Sequence, residues 1–211
     1  MRRAHWRSAL ALGLGLSLAG CNIAAPSFPG LSGGTPVQRL AILGGDLTAV
    51  GPRGYCVDAG ASRPADGLAL IAACSTLAGE GALPWRNAVI VVQAGPEGSA
   101  TVTGSETDLR ALVATEAGRA LLSGTGQAGA ITIRRADSAA GLVTVIYTDT
   151  GPGPVPGTQS TEWRAFIDLR GRLVTISLRG LAATPLDDNA GLSLLRNAVS
   201  ALQSANPGDG E

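Results

Sequence analysis

Three carboxylates, Asp149, Glu162 and Asp168, flank a proline-rich stretch and are the residues best suited to acid–base chemistry in this chain. Paired carboxylates hydrolyse glycosides when held about 5 Å or about 6.5–9.5 Å apart, so convergence of these three at one end of a sheet would make a hydrolase centre. The commoner fate of such residues is solvation in loops and turns, and that is the expectation here. Little else is on offer. The single histidine is His5, and lysine is absent. Beyond His5 the chain therefore cannot build a Ser-His-Asp or Cys-His site, or imidazole ligation of zinc. Without lysine it cannot form a pyridoxal Schiff base or a Walker A loop. No catalytic residue, metal ligand or cofactor is expected.

Two glycine patterns resemble functional motifs but sit in the wrong context. Gly124-Thr-Gly126-Gln-Ala-Gly129 has the G-x-G-x-x-G spacing, yet a dinucleotide fingerprint needs a strand before it and a helix after it. Here a helix precedes, so the stretch reads as a helix stop and a loop. Gly30-Leu-Ser32-Gly-Gly34 has the G-x-S-x-G spacing in a segment with no strand signal and no histidine to activate Ser32.

The cysteines say more. Cys56 and Cys74 bracket a turn-rich stretch, Ala61 to Gly67. If residues 55–59 and 68–74 are paired hairpin strands, the two thiols lie opposite each other at a separation that suits a disulfide. The third, Cys21, ends a leader: Arg2, Arg3 and Arg7, then the apolar run Ala9 to Ala19, then Leu18-Ala19-Gly20-Cys21. The apolar run is about half the ~20 residues that a membrane span requires. Leu18-Ala19-Gly20-Cys21 resembles the lipobox of bacterial lipoproteins. That resemblance implies cleavage before Cys21 and acylation of the cysteine, and two or three acyl chains suffice for stable anchoring. It also implies outer-membrane attachment facing the periplasm, because the residue after the cysteine is Asn22 and not the aspartate that marks inner-membrane retention in this family.

An oxidising compartment agrees with a paired Cys56 and Cys74. Without the leader thirteen arginines remain against sixteen acids, a net charge of −3, which gives no electrostatic footprint for nucleic acid. Four regions follow: a signal peptide (1–20), a lipidated flexible tether rich in Pro, Gly and Ser (21–38), one α+β domain (39–206) and a disordered tail (207–211).

Within the domain, short strands are expected at Asp46–Val50, Tyr55–Asp58 and Leu68–Cys74. The β-branched run Ala88–Gln93 reads as a central strand, and Ala100–Thr103 as an edge. Ser105 opens a single amphipathic helix that carries Leu109, Leu112, Val113, Ala117, Ala120 and Leu121 on one face and stops at Gly124. Ile131–Arg134 and Leu142–Thr148 follow as strands, with a polar loop at Ala136-Asp137-Ser138 between them. Beyond the proline-rich Thr150–Thr161, Trp163–Leu169 and Arg172–Leu178 form a hairpin around Arg170-Gly171. In its second strand Val174, Ile176 and Leu178 point inward, and Thr175, Ser177 and Arg179 face solvent. Asp187-Asp188-Asn189 starts a last helix, with an apolar stripe of Leu192, Leu195, Val199 and Leu202, and Asn206-Pro207 ends it.

The elements make an antiparallel sheet with two main helices packed on it, an α+β class. Their order over residues 39–206 resembles the PsbP-like fold. Gly54-Tyr55-Cys56-Val57-Asp58, Cys74 and Trp163-Arg164-Ala165-Phe166 are similar to stretches of small exported bacterial lipoproteins with no established activity, which implies location and fold only. Tyr147, Trp163 and Trp85, if gathered near residues 150–161, would form a docking surface for an envelope protein; the commoner fate of such rings is packing over the sheet edge. The expected role is thus a lipid-anchored, non-enzymatic protein-binding or envelope-assembly module. The alternatives are a carboxylate-based peptidoglycan hydrolase and a carrier of a small ligand in a pocket between sheet and helix.

Overall fold

The computed structural model describes residues 36–208 other than 82, 83, 85 and 154. The expected signal peptide, the lipidation site Cys21, the tether up to residue 35, Trp85 and residues 209–211 lie outside the described residues.

The architecture is α+β, as expected. In chain order the strands are β1 (Arg39–Ile42), β2 (Leu47–Val50), β3 (Tyr55–Arg63), β4 (Leu68–Ala73), β5 (Ala88–Ala94), β6 (Ile131–Ala139), β7 (Leu142–Asp149), β8 (Thr161–Leu169) and β9 (Arg172–Gly180). The helices are α1 (Cys74–Ala78), α2 (Glu106–Ala114), α3 (Glu116–Leu122) and α4 (Asp188–Ala205). Seven strands form one antiparallel sheet in the order β3-β4-β5-β9-β8-β7-β6, and β1 and β2 pair separately. Two meanders, β3-β4-β5 and β6-β7-β8-β9, are thus joined along a single seam. There β5 pairs with β9 from Ala88↔Gly180 to Ala94↔Val174. Buried neighbours on both sides explain why β5 is a nearly continuous apolar run.

Helix α4 and the β1–β2 ribbon cover one face. Asp187 caps α4 by accepting the Ala190 N–H at 2.8 Å, and Leu192, Leu195, Val199 and Leu202 are buried as the stripe predicts. Gly191 interrupts that stripe, and a glycine inside a helix costs about 1 kcal/mol against alanine. Its place is explained by Trp163, whose ring lies where a Cβ would be. The indole N–H donates to the Asp188 carbonyl at 3.2 Å. At the other end, Asn206 exchanges two bonds with the backbone of Thr48, accepting its N–H at 2.7 Å and donating to its carbonyl at 2.9 Å. The residue expected only to end the helix therefore also fastens it to β2.

Helices α2 and α3 cover the opposite face over β6 and β7, where Val113, Leu122, Val143, Val145 and Tyr147 are buried together. The single helix expected from Ser105 to Gly124 is broken at Thr115, which is extended and accepts the Gly118 N–H at 3.0 Å. A β-carbon at Gly118 would collide with the Leu112 carbonyl, so the corner between α2 and α3 needs a glycine there.

Three further expectations change. Ala136-Asp137-Ser138 lies inside β6, and the hairpin turns at Ala140-Gly141, with Gly141 at φ 68°. Ala100–Thr103 is not a strand; its backbone instead donates to Asp168, with the N–H groups of Thr101, Val102 and Thr103 at 2.8–3.0 Å from the carboxylate. Cys56 and Cys74 are bonded with a Cα separation of 4.8 Å. However, Cys74 opens α1, and the residue opposite Cys56 is Ala72. The bridge therefore runs diagonally and ties the end of β4 back to β3.

The hairpin at Arg170-Gly171 has positive φ at both residues, 47° and 72°, the backbone of a two-residue turn that matches strand twist. Among the described residues no helix is long and apolar enough to cross a membrane.

Gly191→Ala forces a methyl group into the Trp163 ring and is expected to cost about 1–3 kcal/mol, the range for overpacking a filled core. A lowered urea midpoint with an unchanged m-value checks this.

Candidate functional site: a buried ion ladder beneath a proline-rich loop

The register of three neighbouring strands assembles the site. Tyr147 lies opposite Glu162, and Val145 opposite Arg164. Arg164 in turn lies opposite Ser177, and Trp163 opposite Leu178, so the adjoining rung brings Glu162 beside Arg179. Side chains alternate between faces along a strand. Tyr147, Glu162, Arg164, Ser177 and Arg179 therefore share the face that carries α2 and α3, while Trp163 points to α4.

Glu162 is the hub. Its Oε1 accepts from the Tyr147 hydroxyl at 2.6 Å and from Arg164 Nη2 at 2.6 Å. Arg164 Nε is 2.9 Å from both that oxygen and Ser177 Oγ. Oε2 accepts from Arg179 Nε at 2.7 Å, and Arg179 Nη2 reaches Asp149 Oδ2 at 3.5 Å. The Arg164 guanidinium also stands 5.4 Å from the centre of the Tyr147 ring. Burial alone would push the Glu162 carboxyl up. The charges of Arg164 and Arg179, with hydrogen bonds from Tyr147 and Arg179, outweigh burial and hold it below the ordinary glutamate range. Burial and the Glu162 charge push the Tyr147 phenol up, so it stays a donor.

The proline-rich loop folds over this ladder. Asp149 Oδ1 accepts the Gly151 N–H at 2.8 Å, and the Gln159 N–H donates to the Gly180 carbonyl at 2.9 Å. A Cβ on Gly153 would sit 3.2 Å from Arg179 Nη1, so the loop backbone runs close over the guanidinium. Between the loop at Pro152 and the end of α3 at Leu122 and Gly124 a cleft of about 290 Å³ remains, with Val91, Arg164 and Ser177 on its floor. A larger groove of about 370 Å³ runs between Tyr55 and α4, with no carboxylate among its lining residues.

Several expectations are corrected here. Asp149 and Glu162 are buried ion-pair partners, not solvated loop acids. They converge on Arg179, but Asp168 lies at the far end of β8, six positions along the strand from Glu162 and roughly 20 Å away at ordinary strand rise. There it holds the backbone ahead of α2. Arg179, expected in solvent, is buried. Tyr147 and Trp163, the candidates for a docking surface, are instead packed, both fully buried and on opposite faces of the sheet and not over its edge; Trp85 lies outside the described residues. The pairing of Cys56 with Cys74 holds, and Cys21 lies outside the described residues. Arg164, Ser177 and Arg179 are the site residues that pattern reading missed. The available signal was Glu162-x-Arg164 on a strand, an acid and a base on one face.

Among the described residues no cluster of His, Cys, Asp and Glu is arranged to hold a metal ion. No protein-family model matches the chain, and no curated protein matches it.

Glu162→Gln leaves the buried Arg179 guanidinium and the partly buried one of Arg164 without their shared counter-charge and is expected to cost about 3–5 kcal/mol. The pH dependence has a definite sign. A carboxyl whose pKa is lowered on folding stabilises fully above its unfolded value of about 4.3, and that contribution fades as pH falls through the lower folded value. The stability gap between wild type and Glu162→Gln should therefore be constant near neutrality and shrink below about pH 4. Urea titrations across that window test both statements.

Proposed function

We propose that this chain is a lipid-anchored envelope protein that binds a protein partner and performs no chemistry of its own. The observation that carries the reading is the state of Glu162. Both its oxygens accept charged donors, and it is held ionised. A glycosidase needs one carboxyl kept protonated near neutrality and a second, ionised one with an oxygen free to attack or to activate water, and Glu162 is neither. The ladder thus acts as a rigid floor, and the adjoining surface is left to do the binding.

That surface lies on α2 and α3. Leu121 is 76 % exposed and Leu112 43 % exposed, the two large apolar side chains most open to solvent among the described residues. Leu122, the next residue along, lines the cleft with Pro152. Apolar side chains beside a concave, partly apolar cleft suit a protein segment better than a free metabolite. The cleft volume of about 290 Å³ lies at the foot of the range for ligand pockets, about 300–1,000 Å³. The space between sheet and α4, where a carrier would keep its ligand, is occupied by Trp163, Ile176, Leu195 and Leu202.

The anchor rests on the leader, the lipobox-like Leu18–Cys21 and Asn22, which together favour the periplasmic face of the outer membrane. The segment up to residue 38 would give the domain reach beside the bilayer.

A photo-reactive residue at position 121 in intact envelopes is expected to give a discrete adduct whose mass is not that of a second copy, and one at exposed Glu97 none. No such adduct from position 121, or equal adducts from both positions, would overturn the docking surface. Cys21→Ala is expected to move the protein from the membrane pellet to the soluble fraction; retention in the pellet would overturn the anchor.

A further inference from the structure

The two edges of the seven-stranded sheet differ. On β3 the outer edge is partly occupied, since Val37 and Val57 exchange backbone bonds at 3.1 and 2.8 Å. Strand β6 pairs with β7 on one side and, among the described residues, with no strand on the other. An open edge of this length is a template for another strand.

Its side chains indicate which strand fits. Register with β7 places Arg135 beside Ile146 and Asp137 beside Thr144, so Arg135 and Asp137 share the face of the sheet away from α2. They pair within the chain, Nε to Oδ2 at 2.6 Å, and both remain accessible, at 51 % and 40 % side-chain exposure. Unmatched charges on an edge normally block strand addition. These two are matched to themselves. An antiparallel partner related by a two-fold axis through Ala136 sets each Arg135 opposite the other copy's Asp137, giving two cross-strand ion pairs, and Arg134 opposite Ser138. A register moved one residue along, centred on Asp137, would put the two aspartates face to face.

We propose that β6 is a self-association surface, and that two copies of this chain pair β6 to β6, antiparallel and centred on Ala136, into one continuous sheet. The interaction is isologous, as closed dimers require. The bulge between Ile133 and Arg135 confines the regular ladder to the segment that carries the charges. A two-fold axis normal to the sheet also brings the copies of α2, with half-exposed Leu112, to the same side of the joined sheet. The pairing depends neither on the lipid anchor nor on any other partner.

The test uses full-length chains with two different affinity tags, co-expressed and co-purified. Wild type is expected to retain wild type. Arg135→Glu should lose its own copy, because an acid then opposes Asp137 at both cross-strand positions. Asp137→Arg should lose its own copy too, because a second guanidinium then opposes Arg135. The mixed pair, Arg135→Glu with Asp137→Arg, should recover association, since every opposed charge is complementary again. Its recovery also shows that both variants fold. The proposal is overturned if wild type does not associate, if all combinations co-purify alike, or if the mixed pair fails with the like-charged ones.

Discussion

A carboxylate removed from water must be answered by charge, and in this protein the answer to Glu162 determines how the sheet is built beneath the proline-rich loop. Removing an ion from water is costly unless partner charges and hydrogen bonds replace its hydration. Strand pairing supplies these from both sides at once: Tyr147 from β7, Arg164 on the same strand and Arg179 from β9. Arg179 then engages Asp149, the last residue of β7, where the proline-rich loop begins. Loop position, strand register and side-chain charge are therefore aspects of one constraint. A slip of one residue between β8 and either neighbour would move Glu162 or its donors to the opposite face.

The same constraint explains the division of labour between the faces. Beneath α4 the sheet is apolar and filled, with Trp163 seated against Gly191. On the other face α2 and α3 cover a second apolar cluster, while beneath the proline-rich loop the sheet is polar and closed by ion pairs, and there a cleft survives. Apolar packing is constrained mainly by volume, whereas charged partners also require set directions and distances. The end of the sheet beneath the loop is therefore held by directional contacts that fix the shape of the adjoining cleft.

Much of the fold was legible from periodicity and composition. The alternation Val174, Ile176, Leu178 located a strand and its buried face, the apolar stripe and Asp187 located α4, and Arg170-Gly171 located a turn. What escaped depended on tertiary partners. Thr115 breaks a pattern that is helical on both sides because its hydroxyl is a better cap than a helical residue, and only the packing of Gly118 on Leu112 makes the break a corner. Ala136-Asp137-Ser138 has loop composition but continues a strand because β7 pairs with it. The candidate site was hidden for a related reason. Glu162, Arg164, Arg179 and Asp149 look like solvent residues one at a time, and their burial follows from a register that joins residues far apart in the chain. Asp168 was recognised as important by type, but its role is to bind three backbone N–H groups.

The seam between the meanders has a consequence for how the molecule is made. Strand β5 ends at Ala94, and its partner β9 begins only at Arg172. A chain that emerges amino end first therefore completes β5 well before anything can cover its free side. Until then Val89, Ile90, Val91 and Val92 form a bare, β-branched ribbon, the kind of segment that seizes strands from neighbouring chains. The closing contact spans a long loop and is intrinsically slow. Premature truncation anywhere before β9 leaves that ribbon permanently uncovered, so shortened chains should clump where the finished one does not.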